Sequence, residues 1–369
     1  MRDARESKAQ LRSLITAWLE QTAALRYQDL PARQDPPFAS LTFGAAGIAY
    51  ALYRAGLALD DAELLARGER WAKEAEQHAG QRDGLRFADG TSTATSLAYG
   101  QDGIRFVRVL LAQARGDRAQ VKARVARFVA AMPSRRDGPS ELLFGAAGQL
   151  TGALVLHEAT GDERLRALCD RQAQKLIGTG APPPWTEAAD LALAHGRAGP
   201  LYALLRWQRS TGGTLPTWFP QALDRLAAEQ EPWFEARQSK QKVVLDRTWC
   251  NGWAGLTLLW AAAAEQPGWL FPYGRLVGGA ARASLSAPGP AGGDLCCGLA
   301  GRAYAGLAAA RLFDDERLHQ HVLSVAADAA EQMRGRWPNG LLKGYPGLVC
   351  LALDLVHEKK PRGFPLLEA

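Results

Sequence analysis

Apolar residues in this chain recur at the spacing of α-helices, in segments of two alternating kinds. The first kind is amphipathic, with apolar positions three and four residues apart and charged residues between them. It covers residues 5–25, 62–78, 120–132, 164–177, 221–237 and 316–334. The second kind is shorter, rich in alanine and leucine and apolar on almost every side, and it covers residues 45–56, 101–115, 146–159, 197–209, 253–264, 299–312 and 345–356. Patterns typical of strands are nearly absent, so the sequence predicts an all-α fold.

A Gly-x-x-Gly motif opens each short apolar segment. The first glycines of these motifs are Gly44, Gly100, Gly145, Gly196, Gly252, Gly298 and Gly344, separated by 56, 45, 51, 56, 46 and 46 residues. Self-similarity at this period indicates a repeated supersecondary unit. We therefore predict one domain over residues 1–369, an α/α toroid of seven helical hairpins with an apolar inner layer and an amphipathic outer layer. The inner-helix N-termini should gather at one end, where glycine lets backbones approach closely.

Composition limits the classes of partner. The 369-residue chain has a net charge of +6 and scattered lysines and arginines, which argues against a nucleic-acid partner. No apolar run reaches the ~18 residues of a membrane span. The charged N-terminal residues lead into an amphipathic helix rather than a signal-peptide segment, so we expect a cytoplasmic location. Cysteines stay reduced there, and a cluster of them indicates a metal site more than disulfides.

The residues before each first glycine carry the candidate chemistry. In repeats one to six the immediately preceding residues are Phe43, Tyr99, Phe144, His195, Asn251 and Cys297. The first three indicate packing, whereas the next three include groups that can react or bind a metal. One position earlier, repeats five and six have Cys250 and Cys296. Chemistry is therefore concentrated in consecutive repeats at one end of the predicted ring.

Equivalent positions in neighbouring repeats lie close together, so Cys250, Cys296 and Cys297 are expected to converge. Cys169 and Cys350 lie inside helical patterns and are expected to pack as small hydrophobic residues. Three thiolates without a fourth protein ligand describe a single Zn²⁺ with one open coordination position. Such a centre is negatively charged, which suits activation of a substrate thiol for alkylation better than polarisation of water. A cluster of buried thiols without a metal is the alternative.

A sulfur nucleophile also needs an electrophile and a proton source. His195 occupies the same motif frame one repeat earlier, and its pKa range suits general acid–base catalysis. Glu141, four residues before Gly145, is the acidic candidate from repeat three. Arg247, three residues before Cys250, is a candidate for stabilising a developing enolate. For Glu141 and Arg247, a solvated surface role is an equal alternative.

Together these residues resemble the lanthionine synthetase C (LanC) family over essentially the whole chain. The matching stretches are Ala-His-Gly-Arg-Ala-Gly at 194–199, Trp-Cys-Asn-Gly-Trp-Ala-Gly at 249–255 and Cys-Cys-Gly-Leu-Ala-Gly at 296–301. The resemblance implies an α/α toroid whose single zinc is held by Cys250, Cys296 and Cys297. It also implies addition of a peptide cysteine thiol to dehydroalanine or dehydrobutyrine, with His195 as the acid or base. The product is a lanthionine or methyllanthionine thioether ring.

Three positions depart from the family pattern. Cys297 stands where the family usually has histidine, which gives an all-cysteine site and should favour reactivity over selectivity. Glu141 stands where the cyclases tend to have aspartate. The family's arginine usually falls four residues before the first cysteine, where this chain has Asp246, with Arg247 one place later.

Several functional alternatives remain open from the sequence. A member of the same family could add glutathione or another small thiol to dehydroamino acids instead of closing peptide rings. An α/α-toroid sugar enzyme would need paired carboxylates on the rim, and Glu141 and Asp294 are the only candidates. A peptide-binding scaffold would not need three cysteines and His195. The expected partner is a dehydrated precursor peptide, made by a separate dehydratase because this chain has no dehydratase region.

Overall fold

The chain folds into fourteen α-helices within the residues that the computed structural model describes, which are 2–32, 34–91, 96–132, 139–238, 245–286, 292–335, 339–357 and 362–368. The odd-numbered helices are α1 Ala4–Ala24, α3 Ala62–His78, α5 Arg118–Ala131, α7 Glu163–Ile177, α9 Phe219–Gln238, α11 Leu270–Leu285 and α13 Glu316–Met333. The even-numbered helices are α2 Ala45–Ala58, α4 Gln101–Ala114, α6 Ala146–Thr160, α8 Ala198–Thr211, α10 Trp253–Ala264, α12 Leu299–Phe313 and α14 Tyr345–Val356. Across these described ranges no strand occurs, which confirms the all-α prediction.

The even-numbered helices form a closed inner ring. Each packs against the next, and α14 packs against α2, so the ring has no open edge. The odd-numbered helices lie outside it, each against the inner helix that precedes it in the chain, and α1 packs against α14 and α13. The last inner helix is therefore covered by the first helix of the chain. This arrangement confirms the α/α toroid, with seven inner and seven outer helices in the described part of the chain.

The two layers begin their helices by different means. Most outer helices start at an aspartate whose carboxylate accepts hydrogen bonds from the first free backbone N–H groups, a favourable N-cap. These aspartates are Asp3, Asp61, Asp117, Asp162 and Asp315. Six of the inner helices start instead at the first glycine of the motif, in extended conformation and without a side-chain cap.

The second glycine of each motif is required by a close backbone contact. A Cβ atom on Gly301 would lie 2.1 Å from the carbonyl oxygen of Leu295, and one on Gly255 would lie 2.2 Å from that of Trp249. No real Cβ contact is that short, so any other residue would push the turn away from the helix. The same contact, to the carbonyl six residues earlier, recurs at the second glycine of every repeat. The glycines thus bring the turn that carries the candidate chemistry onto its own helix.

Backbone hydrogen bonds between neighbouring repeats run around the rim at the N-termini of the inner helices. We call the residue two before each first glycine the rim position. At five junctions the rim N–H donates to the rim carbonyl of the next repeat, with N···O distances of 2.9 to 3.4 Å. These bonds join Thr42 to Ala98, Ala194 to Cys250, Cys250 to Cys296, Cys296 to Leu342 and Leu342 to Thr42. Equivalent sequence positions are therefore held side by side.

Residues 362–368 lie inside the ring, beneath the rim. Phe364 is 1% exposed and stacks on Trp249 with ring centroids 4.6 Å apart, next to Cys250 in the chain. The backbone N–H of Arg362 donates to Asp354 of α14, and the carbonyl of Leu367 accepts from Arg206 of α8. The C-terminal segment thus fills the interior and supports the turn of repeat five from below.

Candidate active site

Three thiols from repeats five and six meet at the rim. The backbone N–H of Cys250 donates to the carbonyl of Cys296 over 3.4 Å, which places the two residues side by side. The sulfur of Cys297 lies 3.7 Å from the sulfur of Cys250 and 3.7 Å from that of Cys296. All three sulfurs lie within 4.8 Å of one another. Sequence position alone predicted this convergence.

The spacing of the sulfurs fits a tetrahedral metal ion. Sulfurs bound to zinc at the usual distance of about 2.3 Å lie about 3.8 Å apart in a tetrahedron. The two 3.7 Å separations agree with that value. Three thiolates are a soft donor set that selects zinc over magnesium or calcium, and they leave one tetrahedral corner for another ligand. The residues therefore fit a zinc ion with an open position.

Polar groups orient the clustered cysteines. The amide nitrogen of Asn251 donates to the sulfur of Cys250 over 3.2 Å, and the Thr248 hydroxyl lies 3.6 Å from the same sulfur. The backbone N–H of Cys297 donates to the carboxylate of Asp294 over 2.9 Å, which fixes the turn. Such outer partners hold metal ligands in a binding orientation.

The three thiols hold their protons unequally. Hydrogen bonds with Cys250 and Cys296 lower the pKa of Cys297. Hydrogen bonds with Cys250 and Cys297 raise the pKa of Cys296. For Cys250 the contact with Cys296 acts to lower the pKa, but the contact with Cys297 and burial outweigh it and raise the pKa overall. Cys297 is therefore the thiol of the three that loses its proton most readily.

His195 and Glu141 form a second polar pair on the rim. Nδ1 of His195 lies 2.9 Å from Oε2 of Glu141, and their side chains are 37% and 17% exposed. The hydrogen bond with Glu141 raises the pKa of His195 above its ordinary value, against the opposing effect of burial. The pair lies beside the thiols because the N–H of Ala194, next to His195, donates to the carbonyl of Cys250 over 3.1 Å.

Aromatic rings occupy the other half of the rim. Tyr99 stacks between Phe43 and Phe144, with centroid distances of 5.8 and 4.8 Å, and Phe144 stacks on His195 at 5.9 Å. The pKa of Tyr99 is raised mainly by burial. The negative charges of Cys296, Glu141 and Cys250 raise it further. The aromatic stack thus continues along the rim to His195, beside the thiols.

Comparison with known proteins identifies the chain. A family model for lanthionine synthetase C-like proteins matches residues 38–368. The chain belongs to the lanthionine synthetase C-like family. Among solved structures, nisin cyclase matches with a TM-score of 0.63 and 17% sequence identity, covering 94% of this chain and 93% of that chain. At this identity the likeness is one of fold, and it agrees with the toroid described above. No curated protein matches the chain.

The remaining sequence candidates have different surroundings in this lanthionine synthetase C-like protein. Arg247 ends a short 3-10 helix, Leu245–Arg247. It lies near Arg302, whose pKa is lowered mainly by burial and further by the positive charge of Arg247. Its role toward an enolate stays a prediction. Cys169 and Cys350 are fully buried in α7 and α14, as expected for packing residues. Among the described residues, no helix combines the length and apolar character needed to cross a membrane.

Sequence analysis missed one residue of the site. The ammonium nitrogen of Lys343 lies 2.8 Å from the sulfur of Cys297. Lys343 immediately precedes Gly344, so it is the seventh member of the series that contains His195 and Cys297. Extending the alignment of the repeats to the last motif would have found it. Its contact with Cys297 joins adjacent repeats, as the contact between Cys250 and Cys297 does.

Proposed function

We propose that this protein is a zinc-dependent cyclase that adds cysteine thiols of a peptide to dehydroalanine or dehydrobutyrine, forming lanthionine or methyllanthionine. The observation that carries the proposal is the group of three thiols, whose sulfurs lie 3.7 Å apart in the two measured pairs, beside the His195–Glu141 pair. Membership of the lanthionine synthetase C-like family and the shared fold with a protein named nisin cyclase support it.

Cys250, Cys296 and Cys297 would hold the zinc ion. Bound there, zinc would supply one open position at which a substrate thiol loses its proton and is kept nucleophilic near neutral pH. Thr248 and Asn251 keep the sulfur of Cys250 aimed at the site, and the turn fixed by Asp294 does the same for Cys297. The protein groups around the thiols therefore act as orienting residues.

His195 supplies the proton in the second half of the reaction. As the substrate sulfur bonds to the β-carbon, the electrons of the C=C bond move towards the carbonyl and form an enolate. The imidazolium of His195 then donates its proton to the α-carbon. The proton released by the substrate thiol to solvent is balanced by the one that His195 takes up again, so an S–H and a C=C bond become an S–C and a C–H bond and no co-reactant is consumed. Glu141 favours this role because it raises the pKa of His195 and so keeps the ring protonated at higher pH.

The geometry argues against a sugar enzyme. The two catalytic carboxylates of such an enzyme would have to be available to a glycosidic bond. Glu141 is instead paired with His195, and Asp294 accepts the backbone N–H of Cys297. A scaffold without catalysis gives no reason for three thiols at bonding distance from a common metal position. Cyclisation accounts for all of these groups.

The test uses a synthetic peptide with one cysteine and one dehydroalanine, incubated with the zinc-loaded protein. Ring closure leaves the peptide mass unchanged but removes the thiol, so it is read as loss of the mass increase produced by N-ethylmaleimide. A parallel incubation with glutathione distinguishes the alternative, because a small-thiol transferase would add the mass of glutathione. The proposal predicts ring closure in both incubations, and an adduct without any ring would overturn it in favour of the small-thiol enzyme.

A further inference from the structure

Lys343 makes an unusual contact with the thiol cluster. It is half-buried, and its ammonium nitrogen lies 2.8 Å from the sulfur of Cys297. Lysine is rarely buried without a partner, because removing an ammonium from water is costly. The contact with a sulfur therefore needs an explanation in terms of charge.

The nearby anionic groups account for the charge of Lys343. The sulfur of Cys297 contacts its ammonium, and the carboxylate of Asp294 lies in the same turn as Cys297. Asp294 already accepts the backbone N–H of Cys297 over 2.9 Å. The direct hydrogen bond from the lysine goes to the sulfur of Cys297, at the edge of the thiol cluster next to repeat seven.

The charge of an all-thiolate centre explains why a lysine is useful there. A divalent ion held by three thiolates has one net negative charge, whereas two thiolates and a neutral imidazole leave the centre neutral. Cys297 is the ligand that stands where the family pattern has histidine. An ammonium against this one sulfur restores neutrality in a half-buried site, where an uncompensated charge is costly.

We propose that Lys343 is a positioning residue that donates a hydrogen bond to the sulfur of Cys297 and compensates the charge of the third thiolate. This inference rests on the proposed metal centre. It implies that Lys343 and Cys297 act as a unit, so that the lysine matters only while residue 297 is a thiolate. It also implies that a positive charge, rather than a lysine as such, is required at residue 343.

The experiment measures zinc affinity by competition with a chelator, in a double-mutant cycle. Lys343→Met should weaken zinc binding by about 10–100-fold, the range found when hydrogen-bond partners of metal ligands are removed. Lys343→Arg should restore most of the affinity. In a Cys297→His background, Lys343→Met should have little effect. Lys73→Met, a substitution of an exposed lysine on α3, is the matched control and should leave the affinity unchanged.

Cobalt substitution gives a second readout that a purely structural role would not move. Loss of a hydrogen bond to sulfur raises the energy of the sulfur electrons, so the thiolate-to-Co²⁺ charge-transfer band of Lys343→Met should shift to longer wavelength. Circular dichroism of the metal-free variants checks folding. If wild type binds no zinc, the metal centre and this inference both fail. If wild type binds zinc but Lys343→Met binds it equally well, or loses affinity equally in the Cys297→His background, only the lysine inference is overturned.

Discussion

The residues immediately before the seven first glycines divide the rim into two halves. In repeats one to three they are aromatic, and these rings stack on one another. In repeats four to seven they are His195, Asn251, Cys297 and Lys343, and the rim position adds Cys250 and Cys296. Both halves share the same turn and the same glycine contacts, and rim hydrogen bonds occur in both, at five junctions in all.

The comparison shows that the backbone structure of the repeat does not determine which side chains its rim carries. The glycine contacts recur in every repeat, and rim hydrogen bonds hold equivalent positions side by side at five junctions. Which residues occupy those positions decides whether a stretch of rim packs or reacts.

Removing one of the three clustered thiols should abolish both zinc binding and thioether formation. Cys250→Ala leaves two sulfurs, so the bound zinc should fall from one per chain to none and thioether formation should stop. Zinc is measured by atomic emission after gel filtration. Cys350→Ala is the matched control, because Cys350 is fully buried in α14 and outside the cluster, and it should retain its zinc. Full zinc occupancy in Cys250→Ala would contradict the proposal that the three thiols together hold the zinc ion.

Converting His195 into the residue type of the aromatic half should separate catalysis from metal binding. His195→Phe keeps a ring against Phe144 but removes the proton donor, so the rate should fall by about 10²–10⁴-fold while zinc content stays constant. The measurement is thioether formation at saturating zinc. Phe43→Leu, at the same position of repeat one, should slow the reaction much less. Equal losses in the two variants would contradict the division of the rim.

Substitutions of the second glycine should damage both halves alike. Gly103→Ala and Gly301→Ala place a methyl group 2.3 and 2.1 Å from backbone carbonyl oxygens, and overpacking of this kind costs about 1–3 kcal/mol of unfolding free energy. Denaturant unfolding of the metal-free protein measures the loss. Gly279→Ala in α11 meets no atom within 4 Å and should instead stabilise the protein slightly. A loss confined to Gly301→Ala would mean that the frame is not common to both halves.

The smallest expected effect is a change in pH dependence. Proton donation by His195 slows as the pH rises through its pKa, and the hydrogen bond with Glu141 raises that pKa. Glu141→Gln removes the negative charge but keeps an acceptor oxygen, so the pKa of His195 should fall and the alkaline limb of the rate profile should move to lower pH. The profile is measured as initial rate against pH. An alkaline limb that stays in place would exclude this role for Glu141.

Much of the fold follows from local patterns in the sequence. The start of six inner helices was predicted to the residue, because glycine before an apolar alanine-rich run is a strong local signal, and the eighth helix starts one residue later than expected, at Ala198. The seven hairpins imply an outer helix after α10, but the bounds of this helix, α11, were not predicted. The convergence of three cysteines was also predictable, because repeat periodicity places equivalent residues side by side.

The repeat pattern, the helical class and the three-thiol cluster were thus determined by the sequence alone, since each depends on local periodicity or on equivalent positions in adjacent repeats. The contacts that fill and cover the ring were decided only by the tertiary structure. It packs α1 on α14 and stacks Phe364 on Trp249. These contacts join residues far apart in the chain, and their partners are selected by packing and burial of charge around the whole ring, which no local pattern records.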